Sequence, residues 1–286
     1  MKYTIPGSAF ALFMVSAFVF TGSVGAQEQM EIPDDHVQLA ISNPLYPVTA
    51  GDVYSLTYAA GGGGAVKYLI TVDSTYRIRV SNLAVIDVTG KTYPTLKKEA
   101  ETIVSNNYPL SGAQLIMVKP SSFTVYIKGE VTTAGERTTW AMGRLSSLVG
   151  NSFSAYSSIR NITVTSTNGR VKTYDLFKAQ RFGDLSQDPY LRPGDIITVS
   201  HLDRKISIHG EVERPGSYEL LPGENIKDLI VNYANGYTAR ADIGGVGIRR
   251  YEEGNLGMGN IIYLNQEEIN ANYSLQNFDE VFVTSK

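Results

Sequence analysis

The sequence predicts an α+β fold that closes on two tandem β-grasp-like units. Three observations carry this expectation. Short apolar runs alternate with period two and are bounded by glycine, proline and asparagine, as strands are. Only a few segments show the i, i+4, i+7, i+8 spacing of a helix. The heptapeptide Val125-Tyr126-Ile127-Lys128-Gly129-Glu130-Val131 returns 81 residues later (125 to 206) as Ile206-Ser207-Ile208-His209-Gly210-Glu211-Val212.

The chain opens on a targeting pattern. Lys2 precedes the uncharged apolar run from Ala9 to Phe20, and Val24-Gly25-Ala26 sets small residues at −3 and −1 before Gln27. That is the layout of a cleavable secretory signal over residues 1–26. It is short of the roughly 20 apolar residues of a membrane span. Residues 27–49 are polar, carry Pro33, Pro44 and Pro47, and read as an extended arm. A first block, residues 50–120, opens at Ala50-Gly51-Asp52-Val53. Val53 to Tyr58 and Val66 to Val72 read as strands, with Gly61 to Gly64 as a loose hairpin loop. A phosphate loop is the competing reading of four glycines, but neither Gly-Lys-Ser/Thr nor a helix follows. Tyr76 to Val88 supplies one or two more short strands. Leu96, Ala100, Ile103 and Val104 share a helix face, with Thr95 after Pro94 as the expected N-cap. Leu115 to Val118 and Phe123 to Ile127 read as strands.

The two copies occupy residues 121–201 and 202–286. Gly135 pairs with Gly216, Leu145 with Ile226, Leu148 with Leu229 and Val149 with Ile230; the last three pairs form the apolar face of a short helix in each copy. Copy one runs from Ile162 into Asn168-Gly169, a two-residue hairpin signal. Copy two runs from Val246 into Glu252-Glu253-Gly254-Asn255. The closing strands, Asp195 to Val199 and Glu280 to Thr284, lie 85 residues apart (195 to 280), so copy two carries a small insertion. A sheet wrapped on one helix buries an apolar stripe that neither element buries alone, so each copy of about 80 residues should form a small α+β domain. Pro193-Gly194-Asp195 ahead of a β-branched run is a turn that launches a strand: proline presets φ, Gly194 accepts φ > 0, and the aspartate bonds nearby amides. Gly129 and Gly210 should relieve crowding at a strand end. Copy two departs from the pattern, with Asn277-Phe278-Asp279-Glu280 where Pro-Gly-Asp is due.

Three features then coincide: Gly129-Glu130-Val131 with Gly135 and Gly210-Glu211-Val212 with Gly216; Tyr190-Leu191-Arg192-Pro193-Gly194-Asp195-Ile196-Ile197-Thr198-Val199; and the block from Gly51-Asp52 through Gly90 and Glu99-Ala100 to Val118. Together, over residues 45–286, they resemble the bacterial outer-membrane polysaccharide export family. The resemblance implies a polysaccharide biosynthesis/export domain followed by two soluble-ligand-binding β-grasp (SLBB) domains. It also implies a non-catalytic subunit of a capsule or exopolysaccharide conduit, forming a homo-oligomeric ring through which polysaccharide passes. Its partners would be inner-membrane polysaccharide assembly machinery and an outer-membrane pore protein. The latter is expected because the sequence closes at Lys286 directly after a strand, where several family members continue into a membrane-crossing amphipathic helix. A monomeric envelope module that binds a glycan or small ligand is the alternative.

Composition narrows the chemistry. The net charge is −3 at pH 7, which disfavours nucleic acid as a partner. Cysteine is absent, so disulfides, thiolate metal sites and an N-terminal lipid anchor are excluded. The expected location is the periplasm, associated with the outer membrane. His36, in the arm, His201 and His209 are scattered, and no Gly-x-Ser-x-Gly elbow occurs, so neither metal nor cofactor nor catalytic residue is expected. Asp34-Asp35, Glu252-Glu253 and Glu267-Glu268 read as solvated loop charge. Eighteen tyrosines offer flat faces suited to protein or sugar contact, most of them expected to pack within strands.

Overall fold

Strands grouped in several sheets, with short helices between them, make up the α+β structure seen in the computed structural model, which describes residues 35–60, 64–251 and 259–286. The leader, residues 27–34, most of the glycine loop and the turn at Glu252-Asn255 lie outside the described residues. Residues Asp34–Lys286 form one compact unit.

The region read as an extended arm is helical at Asp35–Ser42 (α1), with Val37 and Ala40 buried. Tyr46 and Val48, just beyond, are also buried in the first apolar cluster. A polar, proline-bearing stretch hid this, because α1 is short and gains its stability from packing rather than propensity.

The first block pairs β1 (Val53–Ala60) with β2 (Gly64–Thr71) and β5 (Gln114–Lys119), all antiparallel. A separate hairpin joins β3 (Arg77–Val80) to β4 (Ala84–Asp87). Helix α2 (Tyr93–Asn107) lays Leu96, Ala100 and Val104 against the β1 face that carries Tyr54, Leu56 and Tyr58. Its N-cap is Thr92 rather than Thr95, which places Pro94 in the first turn, where a missing N–H costs nothing.

Copy one comprises β6 (Ser122–Gly129), β7 (Gly135–Trp140), α3 (Leu145–Val149), β8 (Ser157–Thr165), β9 (Val171–Tyr174), α4 (Leu176–Phe182) and β10 (Ile196–His201). Copy two comprises β11 (Lys205–Gly210), β12 (Gly216–Glu219), α5 (Ile226–Asp228), β13 (Ala241–Arg250), β14 (Asn260–Leu264), α6 (Gln266–Asn270) and β15 (Glu280–Ser285). The sheets run β7-β6-β10-β8-β9 and β12-β11-β15-β13-β14, the same order twice. In each, the first and last strands of the copy (β6 with β10, β11 with β15) pair in parallel and the remaining pairs are antiparallel. A parallel pair needs a long crossover, and the short helix within it covers the sheet's apolar face. In copy two the stripe Ile226, Leu229, Ile230, Tyr233 and Ala234 is buried throughout, although α5 gives way to a π-helical turn at Leu229–Tyr233.

Two local expectations are corrected. The hairpin after β8 is not a two-residue turn: Ser166 N–H bonds Arg170 O and Gly169 N–H bonds Ser166 O, a three-residue loop with Gly169 at φ 79°. Glu267 and Glu268 lie in the first turn of α6, not in a loop; Glu268 accepts the Asn265 N–H in a capping box, where negative charge meets the helix N-terminus.

Candidate functional site

The motif residues singled out from the sequence do structural work. Gly129 and Gly210 close β6 and β11 at φ 93° and 84°. A Cβ at either position would lie 2.2 Å from Val199 O or 2.0 Å from Val283 O, the backbone of the neighbouring parallel strand. The next residues, Glu130 and Glu211, donate N–H to those same carbonyls. Their side chains fix the start of the following segment: Glu130 accepts from Ser154 Oγ, while Glu211 accepts from Thr238 Oγ1 and pairs with Arg240 at 3.4 Å. Gly135 and Gly216 open the hairpin partners β7 and β12, opposite Ile127 and Ile208.

The aspartate turn occurs three times. Asp52, Asp195 and Asp279 each accept the N–H three residues back, from Thr49, Arg192 and Gln276, and return their own N–H to that residue's carbonyl. The residue before each aspartate has positive φ: Gly51 at 92°, Gly194 at 77° and Phe278 at 66°. Pro193 sits inside the second of these turns. The environments of the three carboxylates differ. Asp52 also accepts from Tyr46 Oη, Tyr54 Oη and Ser121 N–H, so the turn ties the first block to the start of β6. Asp279 is held bidentately by Arg250 at 2.7 and 3.0 Å. Asp195 has neither arrangement, and burial pushes its carboxyl up, as it does that of Asp52.

Between the copies lies a buried polar joint built on Arg160 of β8, whose side chain is 2% exposed. It donates to Asp175, the N-cap of α4, at 2.7 and 3.1 Å. It reaches copy two through Glu224 at 2.6 Å, Glu219 O at 3.1 Å and the Tyr233 hydroxyl. The guanidinium lies within 5.3 Å of the Phe177 and Tyr233 ring centroids, and those rings stack on each other. Glu219 meanwhile accepts from Ser158 Oγ and Ile159 N–H, and its carboxyl is pushed up by burial.

A binding geometry appears elsewhere. A groove of about 620 Å³ runs between α1 and copy one. Trp140, at the end of β7, and Tyr190 line it with Leu39 and Pro44; Asn43, Ser42, Ser146 and Ser147 add polar edges. Trp140 stacks on His36 with centroids 4.3 Å apart. Arg144 lies 4.3 Å over the Tyr190 ring and donates to Asp188 O and Tyr190 Oη. Arg144 is the one charged side chain among the described lining residues, and both its hydrogen bonds run to uncharged oxygens. Sequence reasoning passed over Trp140 and Arg144. The one available signal was that the chain has a single tryptophan, placed in a strand otherwise made of polar residues.

Among the described residues no three His, Cys, Asp or Glu side chains gather to hold a metal. His201 faces Tyr156 and Asp203, and His209 lies in β11, so the structure does not bring the histidines together. Among the described residues no helix is long and apolar enough to cross a membrane. No family model matches the chain.

Proposed function

We propose that this chain is an exported, non-catalytic subunit of a polysaccharide export conduit, working as a homo-oligomeric ring. The observation that carries the reading is the tandem pair of sheets with one strand order, joined through the buried Arg160 cluster and preceded by a block locked on by Asp52. Two copies of one unit held in fixed relation provide a repeated surface along a path, which suits a protein that guides a polymer rather than cleaving it. The reading also draws on the motif resemblance, which implies inner-membrane polysaccharide assembly machinery as a partner. Light scattering of the mature protein, alone at high concentration and with envelope partners, should show a discrete large oligomer. Deleting the gene should remove a surface or secreted glycan while precursors remain inside. A strict monomer with glycan export intact after deletion would overturn it. The groove at Trp140 favours the second reading in that event, a monomeric glycan-binding module.

A further inference from the structure

The chemistry of the Trp140 groove selects a ligand. The hydroxyls of Ser42, Ser146 and Ser147 already donate their protons, to Leu39 O, Asp188 Oδ2 and Arg144 O. Asn43 aims one amide hydrogen at Met142 Sδ. Toward the groove the serines therefore present oxygen acceptors, which suit a ligand rich in O–H donors. Arg144 supplies the opposite requirement. It makes no ion pair with any described residue and stands in a lining without carboxylates, so its charge is available to an anion. Trp140, Tyr190, Leu39 and Pro44 add the apolar surface that covers the C–H faces of a ring. Many hydroxyl donors, one anionic group and flat apolar faces together describe an acidic sugar; a peptide offers far fewer hydroxyls.

We propose that the groove between α1 and the first copy is a binding subsite for an acidic saccharide unit, with Arg144 receiving the carboxylate and the Ser42, Ser146 and Ser147 oxygens receiving ring hydroxyls. The inference deepens the export reading and rests on it for the saccharide class.

The chain carries one tryptophan, so tryptophan emission, excited apart from the tyrosines, comes from a residue that lines this groove. The mature full-length protein is titrated with three probes: a hexasaccharide alternating glucuronic acid and N-acetylglucosamine, the neutral N-acetylglucosamine hexamer, and hexaglutamate. The acidic saccharide should change Trp140 emission saturably; the neutral hexamer, which loses the charge-assisted contact, and hexaglutamate, which lacks ring hydroxyls and apolar ring faces, should each bind at least about tenfold more weakly. Arg144→Gln should weaken the acidic saccharide by about tenfold or more, with Arg144→Lys in between. Because Arg144 also holds Asp188 O, a second variant leaves that bond intact: Leu39→Glu, at a position 54% exposed, sets a carboxylate at the rim and should weaken binding, while Leu39→Gln should have a much smaller effect. No saturable emission change with any probe, equal binding of the neutral hexamer or of hexaglutamate, or an Arg144→Gln variant that binds like the parent would each overturn the proposal. Failure here alongside lost glycan export on deletion would sink the subsite and leave the export reading standing. Selective binding alongside intact export would do the reverse.

Discussion

At Phe278 the second copy places a bulky residue where the other two aspartate turns use glycine. Its φ of 66° is a region that costs an L-residue roughly 1–2 kcal/mol, and its side chain is 68% exposed, so little packing offsets that cost. Phe278→Gly should therefore stabilise the second copy, by about 0.5–1 kcal/mol once the greater freedom of the unfolded glycine is subtracted, as read by urea denaturation. Glycines at equivalent φ are not equally replaceable. At Gly194 a Cβ would lie 2.7 Å from the Thr167 methyl, a side chain that can move, and Gly194→Ala should cost about 1 kcal/mol. At Gly210 the obstacle is Val283 O, the backbone of a central strand, so Gly210→Ala should cost about 2 kcal/mol or more in the same measurement. Equal losses for the two variants would refute the close-approach account of the Gly-Glu-Val motif.

Elements were legible in proportion to how locally their energetics are decided. The alternation in β1, β6 and β11 and the stripe from Ile226 to Ala234 record burial directly, and each proved to be core. The duplication was legible for the same reason, and equivalent hydrogen bonds accompany it: Thr124 O and Lys205 O, 81 residues apart (124 to 205), accept from Gly194 and Phe278. Helix α1 was not legible, because only Val37 and Ala40 on it are buried and the strand it packs near, β5, lies far along the chain. The groove was illegible for a related reason: residues 39–44, 140–147 and 190 meet only after folding. Glu219 on β12 is a further case, since its partners Ser158 and Ile159 begin β8 of the other copy. Burial raises its carboxyl above the ordinary glutamate value; the Ser158 and Ile159 bonds and the Arg160 charge pull it down, and Asp175 pushes it up. A carboxyl with a raised folded-state pKa binds its proton more readily folded than unfolded. Its ionisation penalty is present above the folded pKa and is relieved as pH falls through that value toward the ordinary glutamate range. Thermal melts between neutral pH and that range should thus show a stabilising component on acidification in the wild type, flattened in Glu219→Gln. Identical pH profiles for the two proteins would count against this assignment.

At the scale of the whole molecule, the two copies have separate apolar clusters, and what joins them is largely polar. Arg160 is the hinge of that arrangement: one cation from copy one satisfies Asp175 on its own side and Glu224 and Tyr233 on the other. Phe177 of α4 reinforces the joint by packing against the second cluster. A buried pair of this kind adds modestly to stability when complete, because desolvation offsets most of the attraction, but it is costly to break. Removing the guanidinium leaves the Asp175 carboxylate buried without its counter-charge and frees Glu224 and Tyr233 of their link across the joint. Arg160→Met, which keeps most of the side-chain volume, should then cost about 3–5 kcal/mol. The loss should fall on cooperativity as well as on total stability. Trp140 lies in β7 and packs against the first block, so it reports copy one together with that block, whereas far-ultraviolet circular dichroism reports the whole chain. In the parent protein the two signals should follow one urea transition. In Arg160→Met they should separate, the tryptophan signal moving to a different midpoint from the dichroism as the copies unfold independently. Coincident transitions at an unchanged midpoint would show that the apolar contacts around Phe177, rather than the guanidinium, hold the copies together.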